Sequence, residues 1–123
     1  MYTLDTNAIV YYIKGDENVV PIFETAIGGA YPLYVSVITE AELFSYSRLN
    51  ETEIDQIDNL LRTVSIISLD SRLARLSGMI RRMYGVKLYD SVIAATALST
   101  GSTLLTRNVK DFKKIAGLSF QRV

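Results

Sequence analysis

The 123-residue chain contains no cysteine and no histidine, and only two prolines, Pro21 and Pro32. Without those two side chains there is no thiol nucleophile, no Ser-His-Asp relay, no imidazole base and no zinc site built on Cys or His. Any chemistry must run on carboxylates, hydroxyls, Lys/Arg or a hard metal ion. Long apolar runs are missing too. The longest, Val92 to Leu98, spans seven residues, against roughly 20 for a membrane-crossing helix. The opening Met1-Tyr2-Thr3-Leu4-Asp5 has no basic stretch and sets an acid where an export signal needs apolar residues. A cytoplasmic protein with no membrane contact is expected. No linker, repeat or low-complexity tract interrupts the sequence, which reads as a single domain, residues 1–123.

Apolar residues make up 49% of the chain, and 8 Tyr and 4 Phe supply large side chains for a core that needs no disulfide or metal staple. Lys and Arg number 13, as do Asp and Glu, yet the balance hides a division. Residues 1–60 carry 2 basic and 10 acidic side chains, whereas residues 61–123 carry 11 basic and 3 acidic. Such asymmetry is a hint of nucleic-acid contact, unless folding intermixes the two halves on one surface.

Short β-branched or apolar runs at Tyr2–Leu4, Leu33–Val37, Val64–Leu69, Thr103–Leu105 and Leu118–Gln121 predict strands. Helical periods predict Thr6–Lys14, Pro21–Ile27, Thr39–Ser47, Glu51–Arg62, Ser71–Tyr84, Tyr89–Thr100 and a short helix near Val109–Ile115, with Gly28, Gly85 and Gly101 as stops. This alternation indicates an α/β fold with a parallel central sheet. Ligands of such sheets gather at the carboxyl ends of the strands.

Several carboxylates fall at those ends. Asp5 closes the first strand in Leu4-Asp5-Thr6-Asn7, where either it or Thr6 caps the next helix or Asp5 serves a site. On the third helix, Glu42 lies about 40° from Ile38 and Glu40 about 160° from it. Glu42 therefore shares the face of Ile38, as an Arg-paired edge residue or as a functional acid; Glu40 is an ordinary solvated acid. Asp90 heads Asp90-Ser91-Val92-Ile93-Ala94-Ala95-Thr96-Ala97-Leu98, a helix apolar on nearly every side. It complements the helix dipole there, and it also aims an ionised group along a buried face. Asn108 and Asp111 follow the fourth strand in Thr106-Arg107-Asn108-Val109-Lys110-Asp111-Phe112. Thr106 or Asn108 could cap the next helix, and Asp111 could be a surface acid among Lys110, Lys113 and Lys114.

Acids brought together in this way repel unless their pKa values rise or a cation joins them. A hard divalent ion with oxygen ligands, Mg²⁺ or Mn²⁺, is the expected occupant. Such an ion activates water for attack on a phosphodiester without a histidine base. Arg72, Arg75, Arg81, Arg82, Lys87, Arg107, Lys110, Lys113 and Lys114 are candidate phosphate contacts, with solvated surface as the alternative for each. Tyr11, Tyr12, Phe44 and Tyr46 form either an aromatic partner surface or ordinary packing.

Four segments, Leu4-Asp5-Thr6-Asn7, Ser36-Val37-Ile38-Thr39-Glu40-Ala41-Glu42-Leu43, Asp90 to Ala97 and Leu105 to Phe112, resemble in order and spacing the four motifs of PIN-domain ribonucleases. In particular, they resemble the VapC-type toxins of toxin–antitoxin pairs, over essentially the whole chain. The resemblance implies a three-layer α/β/α sandwich and Mg²⁺- or Mn²⁺-dependent endonucleolytic cleavage of RNA. It also implies homodimers, and a cognate antitoxin whose C-terminal segment covers the site. By motif, the four catalytic acids fall on Asp5, Glu42, Asp90 and Asp111, with Asp5, Asp90 and Asp111 as metal ligands. Asn7, Thr106 and Asn108 fall on supporting polar positions. Many relatives carry an acid where this chain has Asn108, which leaves Asn108 and Asp111 as alternatives for completing the metal site.

Haloacid-dehalogenase phosphotransferases need a second acid two residues after the first, where this chain has Asn7, and no phosphate-cradling glycine loop is present. The alternative from another class is a catalytically silent PIN-fold interaction domain.

Overall fold

Short apolar strands, each followed by a longer amphipathic or apolar helix, bury both faces of a sheet only if the helices cover it on both sides. The computed structural model describes residues 1–123 and has this arrangement. Its strands are β1 (Tyr2–Leu4), β2 (Leu33–Ser36), β3 (Ser65–Ile67), β4 (Thr103–Thr106) and β5 (Phe120–Arg122). Its helices are α1 (Thr6–Ile13), α2 (Val20–Ile27), α3 (Val37–Leu43), α4 (Glu51–Leu61), α5 (Ser71–Tyr84), α6 (Leu88–Thr100) and α7 (Val109–Phe112). All strand pairs are parallel, in the order β3-β2-β1-β4-β5.

Two apolar layers flank the sheet, so the three-layer α/β/α sandwich is the observed architecture. On one side Leu4, Val35 and Leu105 meet Ile9, Phe23, Leu43, Ile57 and Leu61. On the other, Leu104 meets Leu73, Ile80, Ile93, Ala97 and Phe112. Helix α6 is buried from Ser91 through Ala97, as its nearly continuous apolar sequence requires. Its internal hydroxyls do not suffer from this burial, because Ser91 donates to the Lys87 carbonyl and Thr96 to the Val92 carbonyl, both at 2.9 Å. No helix is long and apolar enough to cross a membrane.

The chain moves outward from β1 through β2 to β3, then returns past β1 to β4 and β5 on its other side. The direction reverses between β1 and β4, and in open α/β sheets the crevice beyond such a reversal collects ligands. Asp5 and Thr106 stand at its two lips.

Element ends follow local chemistry. Asn50 and Glu53 form a reciprocal capping box that starts α4. Asp70 accepts from the Leu73 amide at 2.8 Å and starts α5. Gly85 and Gly101 end α5 and α6 with φ of 68° and 63°, where any side chain would be strained. Gly28 follows α2 with an ordinary φ of −77°. The predicted helix Thr39–Ser47 is displaced. Ser36 Oγ accepts from the Ile38 amide at 3.2 Å and begins the helix earlier, while Ser45 Oγ donates to the Glu42 carbonyl at 2.7 Å just past its end. Phe44 and Tyr46 therefore lie beyond α3 rather than on it.

Candidate active site

Leu4 is fully buried in the core, and the backbone amide of Asp5 extends the ladder by donating to the Leu105 carbonyl at 3.1 Å. Asp5 is thereby held at the sheet's edge, only 4% exposed. Its carbonyl accepts from Ile9 and opens α1, but its carboxylate makes no capping bond. Instead Oδ2 accepts from Thr106 Oγ1 at 2.7 Å. The capping alternative for Asp5 is therefore set aside. Burial raises its pKa to about 6, assisted by the negative charges of Asp90 and Glu42; the Thr106 hydroxyl and the Thr6 amide pull the other way.

Asp90 occupies the first turn of α6 and is half-buried. Its pKa is also raised, by burial first and then by Asp111 and Glu42, with Lys87 opposing. Glu42, on α3, faces α1. Thr6 Oγ1 donates to Glu42 Oε1 at 2.9 Å and shares its proton with Thr39 Oγ1 at the same distance. The Arg-paired alternative for Glu42 is not what forms. Glu40 makes no side-chain hydrogen bond or ion pair, but it is half-buried like Glu42 rather than fully solvated.

Asp111 lies in the short α7. Its Oδ2 accepts from Asn108 Nδ2 at 3.0 Å, and its Oδ1 is 3.8 Å from Lys114 Nζ. Asp111 thus belongs partly to the lysine-rich surface and partly to the acidic group. Neither Thr106 nor Asn108 serves as a side-chain cap for α7. Thr106 Oγ1 accepts from the Asn108 amide at 2.9 Å while donating to Asp5. Asn7 is exposed and makes no side-chain hydrogen bond.

The structure therefore gathers four acids, separated by up to 106 positions in sequence, around Asp90, which lies within electrostatic reach of the other three. Asp90 couples to Asp5, Glu42 and Asp111, and Asp5 to Glu42 as well. None of Asp5, Glu42 or Asp90 has a cationic partner within 4.0 Å. As the side chains stand, no three acids close tightly enough around one point to enclose an ion. An all-oxygen donor set of this kind, with a lysine within 4.0 Å of Asp111 alone, suits a hard divalent cation in its chemistry.

Two contributors escaped sequence reasoning, and a third, Tyr46, is read there only as part of an aromatic surface or of ordinary packing. Thr6 reads as a cap residue but serves Glu42. Thr39, three residues before Glu42 on the same helix, belongs to the same hydroxyl pair. Tyr46 stands close enough to Glu42 and Asp5 that they, after burial, raise its pKa. It also lines an apolar groove of about 280 Å³ with Val10, Ile13, Leu43, Leu49 and Ile57. Of the other aromatics, Tyr12 stacks on Phe23 with ring centroids 5.0 Å apart, which favours packing over a free surface.

An open, parallel α/β/α protein with an acidic, oxygen-only crevice at its sheet reversal defines the class. Within it, this chain belongs to the PIN-domain family, whose model matches residues 2–118. It is 30% identical to Ribonuclease VapC2 of Haemophilus influenzae over 127 residues, covering 95% of this chain and 93% of that protein. It is 29% identical to Ribonuclease VapC1 of Haemophilus influenzae over 129 residues, covering 98% and 96%. Among solved structures, the fold is similar to VapBC2 from Rickettsia felis bound to a promoter DNA fragment, with a TM-score of 0.84, 27% identity and 99% and 98% of the two chains covered. It is likewise similar to VapBC-1 from nontypeable Haemophilus influenzae, with a TM-score of 0.81, 29% identity and 98% and 96% covered.

Proposed function

We propose that this chain is the toxin of a toxin–antitoxin pair, an endoribonuclease that hydrolyses RNA phosphodiesters at the Asp5, Glu42, Asp90 and Asp111 crevice. The observation that carries the reading is the proximity of Asp90 to Asp5, Glu42 and Asp111, with a cation within 4.0 Å of Asp111 alone, in a chain whose relatives are VapC ribonucleases. Asp5, Asp90 and Asp111 would hold Mg²⁺ or Mn²⁺, with Glu42 beside them. When bound, such an ion supplies charge neutralisation at the phosphodiester and Lewis acidity toward the attacking water.

The chain's own groups do the rest. Thr106 holds the Asp5 carboxylate in one orientation, and Thr6 holds that of Glu42. Asn108 spends its amide on Asp111, and in that arrangement it is a supporting group with Asp111 as the ligand. Without the ion Asp5 has a pKa of about 6, so a proton competes with the cation for this carboxylate below about pH 6. The apolar groove beside Tyr46 fits an apolar segment of the cognate antitoxin. The exposed Met83 at the end of α5, with Leu88 and Tyr89 at the start of α6, offers surface for a second copy in a homodimer.

Cleavage of single-stranded RNA by the wild-type chain and Asp90→Asn, each with Mn²⁺, Mg²⁺ or EDTA, tests the reading. Metal-dependent cutting by the wild type alone supports it. Equal activity of the two proteins refutes it, and no cutting by either in any condition favours a silent interaction domain.

A further inference from the structure

We infer that Arg107 is a positioning residue of the acidic crevice, a clamp that fixes the β4–α7 turn by gripping the far end of α1. The inference rests on the reading of that crevice as catalytic. Sequence alone set Arg107 among the candidate phosphate contacts, but its guanidinium is committed inside the molecule. Nη1 donates to Asp16 Oδ2 and Nη2 to Asp16 Oδ1, both at 3.2 Å. Nε donates to the Val123 carbonyl at 3.1 Å. The guanidinium carbon lies 4.1 Å from the centre of the Tyr11 ring. The fork is spent on one carboxylate, the remaining edge on the C-terminal residue, and the flat face on an aromatic ring.

Both anchors are themselves fixed. Asp16 accepts from the amides of Asn18 and Val19 at 2.9 and 3.3 Å, in the turn between α1 and α2. The Val123 amide returns to the Thr106 carbonyl at 3.1 Å. On the other side of Arg107, its two sequence neighbours feed the crevice: Thr106 donates to Asp5, and Asn108 donates to Asp111. The helix that follows is four residues long and lacks a side-chain cap. A helix so short does not hold its own position. The Arg107–Asp16 pair is part-exposed, its side chains 29% and 24% accessible, and such pairs contribute little to stability. Its consequence is geometric: it determines where Thr106 and Asn108 present their donors. Lysine offers neither the fork nor the flat face and cannot replace it.

Arg107→Met, Arg107→Lys, Asp16→Asn and the Met/Asn double variant test this by amide hydrogen exchange on the metal-free protein and by RNA-cleavage kinetics. Exchange at the Asn108 amide is expected to rise about tenfold or more in every variant, with the β1 amides unchanged. The rate constant kcat is expected to fall roughly tenfold or more, with KM for RNA unchanged, since misplacement by about 1 Å costs on this scale. Arg107→Lys should not rescue, and the double variant should lose no more than Arg107→Met, because the two residues act as one unit. Asp16→Asn keeps the aromatic contact and serves as the second variant should Arg107→Met fold poorly. A raised KM with unchanged kcat and exchange would show that Arg107 grips RNA, and would overturn the inference; so would variants that match the wild type throughout. A wild-type chain that cuts no RNA refutes the nuclease reading alone, while the exchange data still decide the clamp.

Discussion

Replacing Asp5 by Asn is expected to abolish RNA cleavage and, in the same protein without metal, to increase stability. The carboxyl group has an ordinary pKa of 3.8, raised in the fold to about 6. That difference of about 2 units corresponds to about 3 kcal/mol, at 1.36 kcal/mol per unit. Below about pH 3 the group is protonated in both folded and unfolded chains, and the native state bears no penalty. As pH rises from about 4 to 6 the unfolded chain ionises first, and above 6 the folded chain carries the full cost of a buried charge. Asn has the same shape and keeps an oxygen to accept from Thr106, but it never ionises. Urea unfolding in EDTA at steps from pH 4 to 8 measures the effect. The stability gap between Asp5→Asn and wild type should be about 0.5 kcal/mol at pH 4 and open to about 3 kcal/mol by pH 7. A gap independent of pH, or an Asn variant less stable than wild type at pH 7, refutes the account of Asp5 as a charge held against stability. Saturating Mn²⁺ should close the gap, because a ligand at 100 times its Kd stabilises by about 2.7 kcal/mol.

Glu42→Gln should remove most cleavage activity, roughly a hundredfold, while Glu40→Gln leaves it within about twofold; equal losses contradict the helix-face assignment. Thr106→Val deletes the bond that lowers the pKa of Asp5. In a pH–rate profile at limiting Mn²⁺, the acid limb of the wild type should fall near pH 6, and the variant's should move up by about 1 unit. Gly101→Ala meets no neighbour within 4 Å but must adopt a φ of 63°, which should cost about 1 kcal/mol in urea unfolding, with kcat unchanged.

Elements bounded by explicit chemistry were legible from sequence. Helix α5 spans Ser71–Tyr84 as predicted, ending at Gly85, and α4 differs by one residue at Arg62. Helix α3 was shifted because its limits depend on two serines, Ser36 and Ser45, whose hydroxyls can serve several backbone partners. The crevice was legible in outline, because strand ends and helical faces orient Asp5, Glu42 and Asp90. The depth of Asp5 was not, nor were the roles of Thr6 and Arg107. Each depends on contacts between residues far apart in sequence: 101 positions for Asp5 with Thr106, and 91 for Arg107 with Asp16. No local pattern encodes such pairs. Arg107 also illustrates why a basic residue near a motif does not imply a phosphate contact, since a guanidinium can be consumed entirely within the fold.

Calorimetric titration of Mn²⁺ into the EDTA-stripped wild-type chain and Asp90→Asn tests most directly whether the four acids act as one divalent-ion site. Saturable binding by the wild type, weakened about a hundredfold or more in Asp90→Asn, is the expected result. Failure of the wild type to bind, or equal affinity in both proteins, would contradict it.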